Sequence, residues 1–219
     1  SRHEPDPINE ISKIQQEFRH FDIKLLPPHI IKSKMDFSIE RNNIRFGLLS
    51  IKGISDKSMQ KLNDFKHEYS NKFEIFQAAE EAGIGLSVLC PLIQAGSLEG
   101  FSQSRSKVVY EAQLWSVLTK REKKVAIPLA EKYDYDLVKV VKYMIESKNE
   151  KGKPLVTESR YETIKRRCAQ YKEIYIKNKT SESFANWYYE KHLLGYTYGK
   201  TLKDIFIDKR LGLITIADV

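Results

Sequence analysis

The sequence predicts a mainly α-helical fold with a short β-hairpin near the N-terminus and a stray strand at the C-terminus. Three observations carry that prediction. Apolar residues recur at helical spacing through most of the chain. Hydrophobic residues make up 41% and charged residues 30% of the 219 positions, the balance of a helix-rich chain with a real core. Residues that favour strands gather in only two places, 37–46 and 211–217.

Taken in order, Asn9 is the expected cap of a first helix with Ile11, Ile14, Phe18 and Phe21 on one face. Pro27-Pro28 stops it. Phe37-Ser38-Ile39 and Ile44-Arg45-Phe46 flank Arg41-Asn42-Asn43 as a hairpin. A helix follows Ser55, with Met59, Leu62 and Phe65 inward. Lys72 to Ala82 forms another, ended by Gly83. Ser87 caps a helix that runs to Ala95, holds Pro91 in its first turns and ends at Gly96.

Further on, Ser104 caps a segment with Val108, Leu114, Trp115 and Leu118 inward. Asp134 or Tyr135 opens a helix whose Leu137, Val140, Val141 and Met144 fall at i, i+3, i+4 and i+7. Asn149 to Pro154 is a loop. From about Glu158 a long helix carries Tyr161, Ile164, Cys168, Tyr171 and Tyr175 on one side. Lys165, Arg166, Arg167 and Lys172 lie on the other. A last helix, capped by Ser181 or Ser183, buries Phe184, Trp187, Tyr188 and Leu194 and stops at Gly195. The strand-forming tail at 211–217 needs a partner sheet, because a lone strand is unstable.

Charge is unevenly distributed. Residues 103–180 hold 19 Lys/Arg and 10 Asp/Glu, a balance of +9, against a net charge of +8 for the whole chain. Such a basic field favours a polyanion through counterion release, and a solvated lysine-rich surface is the plainer alternative. The polar N-terminus and the lack of any apolar run near ~20 residues predict no signal peptide and no membrane contact. A cytoplasmic location is therefore expected. Cys90 and Cys168 form no CxxC pair and read as reduced thiols.

The most informative short stretch is Ile51-Lys52-Gly53-Ile54-Ser55-Asp56-Lys57-Ser58-Met59. An apolar helix end, an x-Gly-apolar-small turn and a second helix make a helix-hairpin-helix. Gly53 allows a backbone path that brings Ile54 and Ser55 close to a phosphate. The amides that open the second helix, with its dipole, point at that phosphate, and Lys52 and Lys57 add charge. Such contacts grip the backbone without reading bases. The alternative is an ordinary helix connection. A second hairpin is read at Leu92-Ile93-Gln94-Ala95-Gly96-Ser97-Leu98, with Arg105 placed to reach a phosphate, so the expected DNA contacts also include Gly96 and Ser97.

No catalytic constellation is legible. His3, His20, His29, His67 and His192 lack metal-ligand spacing. Asp134-Tyr135-Asp136 reads as helix capping, and no P-loop or GxGxxG is present. No cofactor is expected in this segment.

The order of the motifs resembles the family-C DNA polymerases, the alpha subunits of bacterial DNA polymerase III. The matching strings are Leu25-Leu26-Pro27-Pro28, Asp36-Phe37-Ser38-Ile39, Ile44-Arg45-Phe46-Gly47-Leu48, Ile51-Lys52-Gly53-Ile54, and Leu92 to Leu98 with Arg105. Glu190-Lys191-His192-Leu193-Leu194-Gly195-Tyr196 and Thr201-Leu202-Lys203-Asp204-Ile205-Phe206 continue the match. Ser55 stands where the family has glycine, and Thr197-Tyr198-Gly199-Lys200 replaces its Ser-Gly-His-Pro.

The resemblance implies four segments: 1–46, the end of the fingers and a β-hairpin linker; 47–105, a tandem helix-hairpin-helix; 106–195, a basic helical region without a placed counterpart; and 196–219, the connection to an OB-fold. It implies a non-catalytic, non-sequence-specific duplex-binding segment that holds primer–template DNA behind a magnesium-dependent active site elsewhere in the polymerase. A sliding clamp or other replisome protein is an implied partner. Gln113 to Leu118 occupies the interval of the family's clamp peptide, but lacks its terminal Phe and reads as helix. The alternative function is a protein-interaction scaffold with degenerate hairpins.

Overall fold

A computed structural model describes residues 7–98, 100 and 104–208. The architecture is mainly α with a small sheet near the N-terminus, as expected. The stray C-terminal strand read at 211–217 lies outside the described residues.

Helix α1 spans Pro7–His20. It starts before Asn9, since proline suits the first helical position. Its expected apolar face is poorly covered. Ile11 and Phe18 are half-buried, while Ile14 and Phe21 are exposed. Strands β1 (Leu25–Leu26), β2 (Ser38–Glu40) and β3 (Asn43–Arg45) form a sheet of order β1-β3-β2. The β2–β3 hairpin matches the sequence reading, with Arg41 at φ 56° in its turn. The parallel pairing of β1 with β3 was not foreseen, because neither run alone signals a partner so distant in sequence.

A 3-10 turn at Leu48–Ser50 leads to Gly53, and a second at Asp56–Ser58 runs into α2 (Met59–Phe65). Leu62 and Phe65 are fully buried, but Met59 is exposed, because it sits where the 3-10 turn rotates into α-helix. Helix α3 (Lys72–Glu81) is capped by Asn71. Helix α4 (Leu86–Gln94) starts at Gly85 rather than Ser87. The Gly85 carbonyl already accepts the amides of Val88 and Leu89, both at 3.0 Å. Pro91 therefore lies inside the helix, past the first turn.

Helix α5 (Arg105–Val117) opens at Ser104, whose hydroxyl accepts the Lys107 amide. It is the hub of the fold, packing against α4, α7 (Leu137–Glu146), α8 (Glu158–Asn178) and α9 (Glu182–Leu194). Val109, Ala112, Leu114 and Trp115 are all buried. Gln113 to Leu118 is thus core helix and linker, not an extended peptide. Helix α6 (Lys120–Leu129) has a capping box, Thr119 with Glu122. Its sequence signature is the Thr-x-x-Glu of Thr119 to Glu122.

Helix α7 is capped by Asp136, not by Asp134 or Tyr135. Those two residues both take φ 54° and reverse the chain, leaving Asp136 extended and able to accept the Lys139 amide at 3.1 Å. In α9 the expected inward aromatics are largely outward. Phe184 and Tyr188 are exposed and Trp187 is half-buried, while Ala185, Glu190, Leu193 and Leu194 face the interior. Helix α10 spans Leu202–Asp208.

One continuous hydrophobic cluster runs from Ile30 and Phe46 through α2–α9 to Tyr196. Residues of all four segments named from sequence contribute to it, the last through Tyr196. Two ion pairs, the first buried and the second partly buried, tie the helices together. Lys72 Nζ lies 2.5 Å from Glu111 Oε2, whose other oxygen accepts the Leu137 amide, and Lys107 Nζ lies 2.5 Å from Asp136 Oδ2. They join α3, α5 and the start of α7. Burial raises the Glu111 carboxyl above its ordinary value despite Lys72 beside it. Burial opposes the charge of Asp136 too, but its hydrogen bonds from Lys107 and the Lys139 amide hold it below the usual carboxylate range. Cys90 and Cys168 are free and buried, and burial pushes their thiols up to about 12 and about 11.

Candidate nucleic-acid interface

The two glycine turns read from sequence are both left-handed, yet they face different surroundings. Gly53 has φ 92° and is exposed, as are Lys52, Ser55 and Lys57. Ile54 beneath them is buried and anchors the turn. A Cβ on Gly53 would meet only Pro91 Cγ, at 3.7 Å, so the requirement for glycine comes from the backbone conformation rather than from crowding. Ser55 holds the extended cap position before the 3-10 turn, but its side chain makes no cap hydrogen bond. The Ser58 amide bonds the Ser55 carbonyl at 2.8 Å. The amides of Ser55, Asp56 and Lys57 precede that bond, where the first amides of a helix have no intrahelical acceptor. Asp56 sits among them and opposes an anion there.

The hairpin is held from behind. The Lys52 amide donates to the Leu193 carbonyl at 3.0 Å, so this N–H serves the fold and not a ligand. Phe46 stacks on Tyr196 with ring centroids 5.8 Å apart, and both are essentially buried. The strings Ile44–Gly53 and Glu190–Tyr196, both part of the sequence resemblance, therefore support one another in space.

The second turn is internal. Gly96 has φ 79° and is buried, and Ser97 is fully buried with its amide on the Leu92 carbonyl at 3.0 Å. A Cβ on Gly96 would strike the Tyr198 hydroxyl and come within 2.7 Å of Arg105 Nη2. Arg105 points inward. Its Nη1 donates to the Gln94 carbonyl at 3.0 Å, and its Nη2 lies 3.0 Å from the Tyr198 hydroxyl and 3.1 Å from Glu190 Oε1. Glu190 is nearly inaccessible, and its Oε2 accepts the amides of Tyr198 and Gly199. The Tyr198 hydroxyl donates to the Ala95 carbonyl at 2.7 Å. Gly96, Ser97 and Arg105 are thus knitted to the 190–199 segment, and the exposed phosphate contact read for Arg105 is not the arrangement found. The partner of Arg105 lies 85 positions away, and no local signal announces it.

The basic region is exposed in two main places. On α6, Lys120, Arg121 and Lys124 face solvent, while Lys123 bonds Glu80 and lies 5.1 Å over the Trp115 ring. On α8, Lys165, Arg166, Arg167, Lys172 and Lys177 are exposed. Arg160 instead forks onto Glu122 at 2.8 and 3.0 Å. Burial opposes the Glu122 charge, but the Arg160 hydrogen bond and the Thr119 cap keep its carboxyl below its ordinary value. Among the described residues no three His, Cys, Asp or Glu side chains gather to hold a metal ion. Among them, too, no helix is long and apolar enough to cross a membrane.

Comparison with known proteins matches residues 22–108 to the helix-hairpin-helix motif family. DNA polymerase III subunit alpha of Helicobacter pylori is 25% identical over 122 residues, which is 51% of this chain and 10% of that protein. The subunit from Chlamydia pneumoniae is 27% identical over 125 residues, 55% of this chain and 10% of its own length. That of Bacillus subtilis is 23% identical over 103 residues, 46% of this chain and 9% of its length. The chain spans about a tenth of the length of these relatives. Both turns described above fall within the matched residues, and the chain carries a helix-hairpin-helix segment like that of DNA polymerase III subunit alpha.

Proposed function

We propose that the chain is a non-sequence-specific duplex-DNA-binding segment of a replicative DNA-directed DNA polymerase, and that it holds primer–template behind the active site. The observation that carries this reading is the first hairpin. It is an exposed, left-handed glycine turn followed by the helix-opening amides of Ser55 to Lys57, flanked by Lys52 and Lys57 and braced from beneath by Ile54 and Leu193. A phosphate seated there receives several N–H donors at once. The exposed lysines and arginine of α6 supply a diffuse field that retains duplex without reading its sequence.

In this reading the second hairpin serves as a scaffold. It fixes α4 and α5 against the 190–199 segment and leaves the phosphate contact to the first hairpin. Magnesium-dependent nucleotidyl transfer falls to other parts of the parent polymerase.

Fluorescence anisotropy with a labelled duplex tests the reading. Binding should be micromolar or weaker at physiological salt, indifferent to sequence, and should fall steeply as salt rises. Absence of binding at low salt, or a flat salt dependence, overturns it.

A further inference from the structure

A second surface lies wholly on the basic helices, outside residues 22–108. Between α7 and α8, over α5, runs a groove of about 370 Å³. Its accessible aliphatic side chains are Val138, Ile145 and Ile176, the last 58% exposed, over the buried Leu114, Val141 and Ile164. Lys142, Lys165 and Lys172 line the rim with a single acid, Glu146. Lys142 pairs with Glu146 at 4.0 Å and Lys165 with Glu162 at 3.6 Å, but all four side chains are mostly exposed, so these pairs neutralise little.

The aromatic rings of the groove are already engaged. Tyr175 stacks on Tyr110 with centroids 6.1 Å apart and planes at 18°. Lys165 Nζ lies 6.0 Å over the Tyr161 ring. Nucleic-acid bases need open ring faces to stack on, and this groove offers aliphatic side chains instead. An aliphatic trough with a lysine rim complements a helix that has apolar anchors on one face and acids beside them.

We propose that this groove docks an acidic amphipathic helix of a partner protein, its apolar residues on Val138, Ile145 and Ile176 and its carboxylates against Lys142, Lys165 and Lys172. The inference is independent of the duplex-binding reading, since none of these residues belongs to the first hairpin.

The test uses a labelled synthetic helix of roughly four turns, with Leu at i, i+4, i+7 and i+11 and Glu and Asp between. Its controls are a scrambled peptide of the same composition and an oligothymidylate. The acidic amphipathic peptide should bind saturably, and the scrambled one about tenfold more weakly, the effect of losing one well-filled anchor. Ile176→Glu, and Lys165→Glu with Lys172→Glu, should each weaken binding by about tenfold. These side chains are exposed, and circular dichroism should show parent helix content. The proposal is overturned by no saturable binding, by equal binding of the scrambled peptide, by indifference to Ile176→Glu, or by oligothymidylate displacing the peptide.

Discussion

Both hairpins turn on a glycine after a short apolar stretch, in Ile51-Lys52-Gly53-Ile54-Ser55 and in Leu92-Ile93-Gln94-Ala95-Gly96-Ser97, and both glycines adopt left-handed backbone. The first leaves Lys52, Gly53, Ser55 and Lys57 at the surface, whereas the second turns Gly96, Ser97 and Arg105 inward. The difference lies in what covers each turn. At the first, Leu193 takes a single backbone bond from beneath. At the second, Tyr198 and Glu190 close over the turn and engage Arg105 directly. A motif therefore sets the path of the backbone, while a distant segment decides whether that path faces a ligand or the core.

Removing Arg105 should give the largest effect. Arg105→Ala would leave Glu190, 2% exposed, without its arginine partner. Breaking one side of such a pair costs about 3–5 kcal/mol, and a urea titration should show that loss. The folded fraction should keep the duplex affinity of the parent. A variant of parent stability but lower affinity would return the second hairpin to the DNA contact.

Gly96→Ala should come next. Left-handed backbone costs a residue with a Cβ roughly 1–2 kcal/mol, and the collision with Tyr198 adds overpacking of about 1 kcal/mol or more. Thermal melting should register about 2–3 kcal/mol in total. Unchanged stability would mean that the 190–199 segment does not close over this turn.

A smaller effect is expected where α5 meets α7. The folded pKa of Asp136 lies below its ordinary value, so its pairing stabilises the fold above the usual carboxylate range and is lost as pH falls through the folded value. Glu122 behaves in the same direction. Glu111, raised by burial, works in the opposite sense, since its charged form is disfavoured in the fold. Asp136→Asn should cost about 1–2 kcal/mol at neutral pH, from a weakened cap and an unpaired Lys107. It should also flatten the loss of stability on acidification. A parent-like acid limb in the variant would assign that limb to other carboxylates.

The same contrast explains what was legible in the sequence. Local signals located most helices: the Ser104 cap, the Gly83 and Gly195 stops, the start of α8 at Glu158 and the i, i+3, i+4, i+7 face of α7 all stand as read. The exposed turn of the first hairpin was legible because Gly53 sets its backbone path locally. Three features were not legible, and each depends on a long-range partner. They are the β1–β3 pairing, the inward turn of Arg105, and the outward turn of Phe184 and Tyr188, whose places against the core go to Glu190 and Leu193. Helical periodicity identifies an apolar stripe, but not which of two stripes finds a neighbour. The cap at Asp136 lies one or two positions past the expected Asp134 or Tyr135, because left-handed Asp134 and Tyr135 carry no glycine to mark them.

The central claim is that the first hairpin presents its amides to duplex phosphates while the second does not. Comparison of Gly53→Val with Lys57→Ala in duplex anisotropy titrations tests it most directly, once circular dichroism confirms that both are folded. Valine at φ 92° costs roughly 1–2 kcal/mol of backbone strain and tilts several donors together, so affinity should fall about tenfold. Lys57→Ala removes one exposed charge and should lower affinity by less than about fivefold, a difference that shrinks with salt. A folded Gly53→Val that binds duplex as tightly as the parent would contradict the claim, and would assign DNA binding to the basic helices between residues 103 and 180.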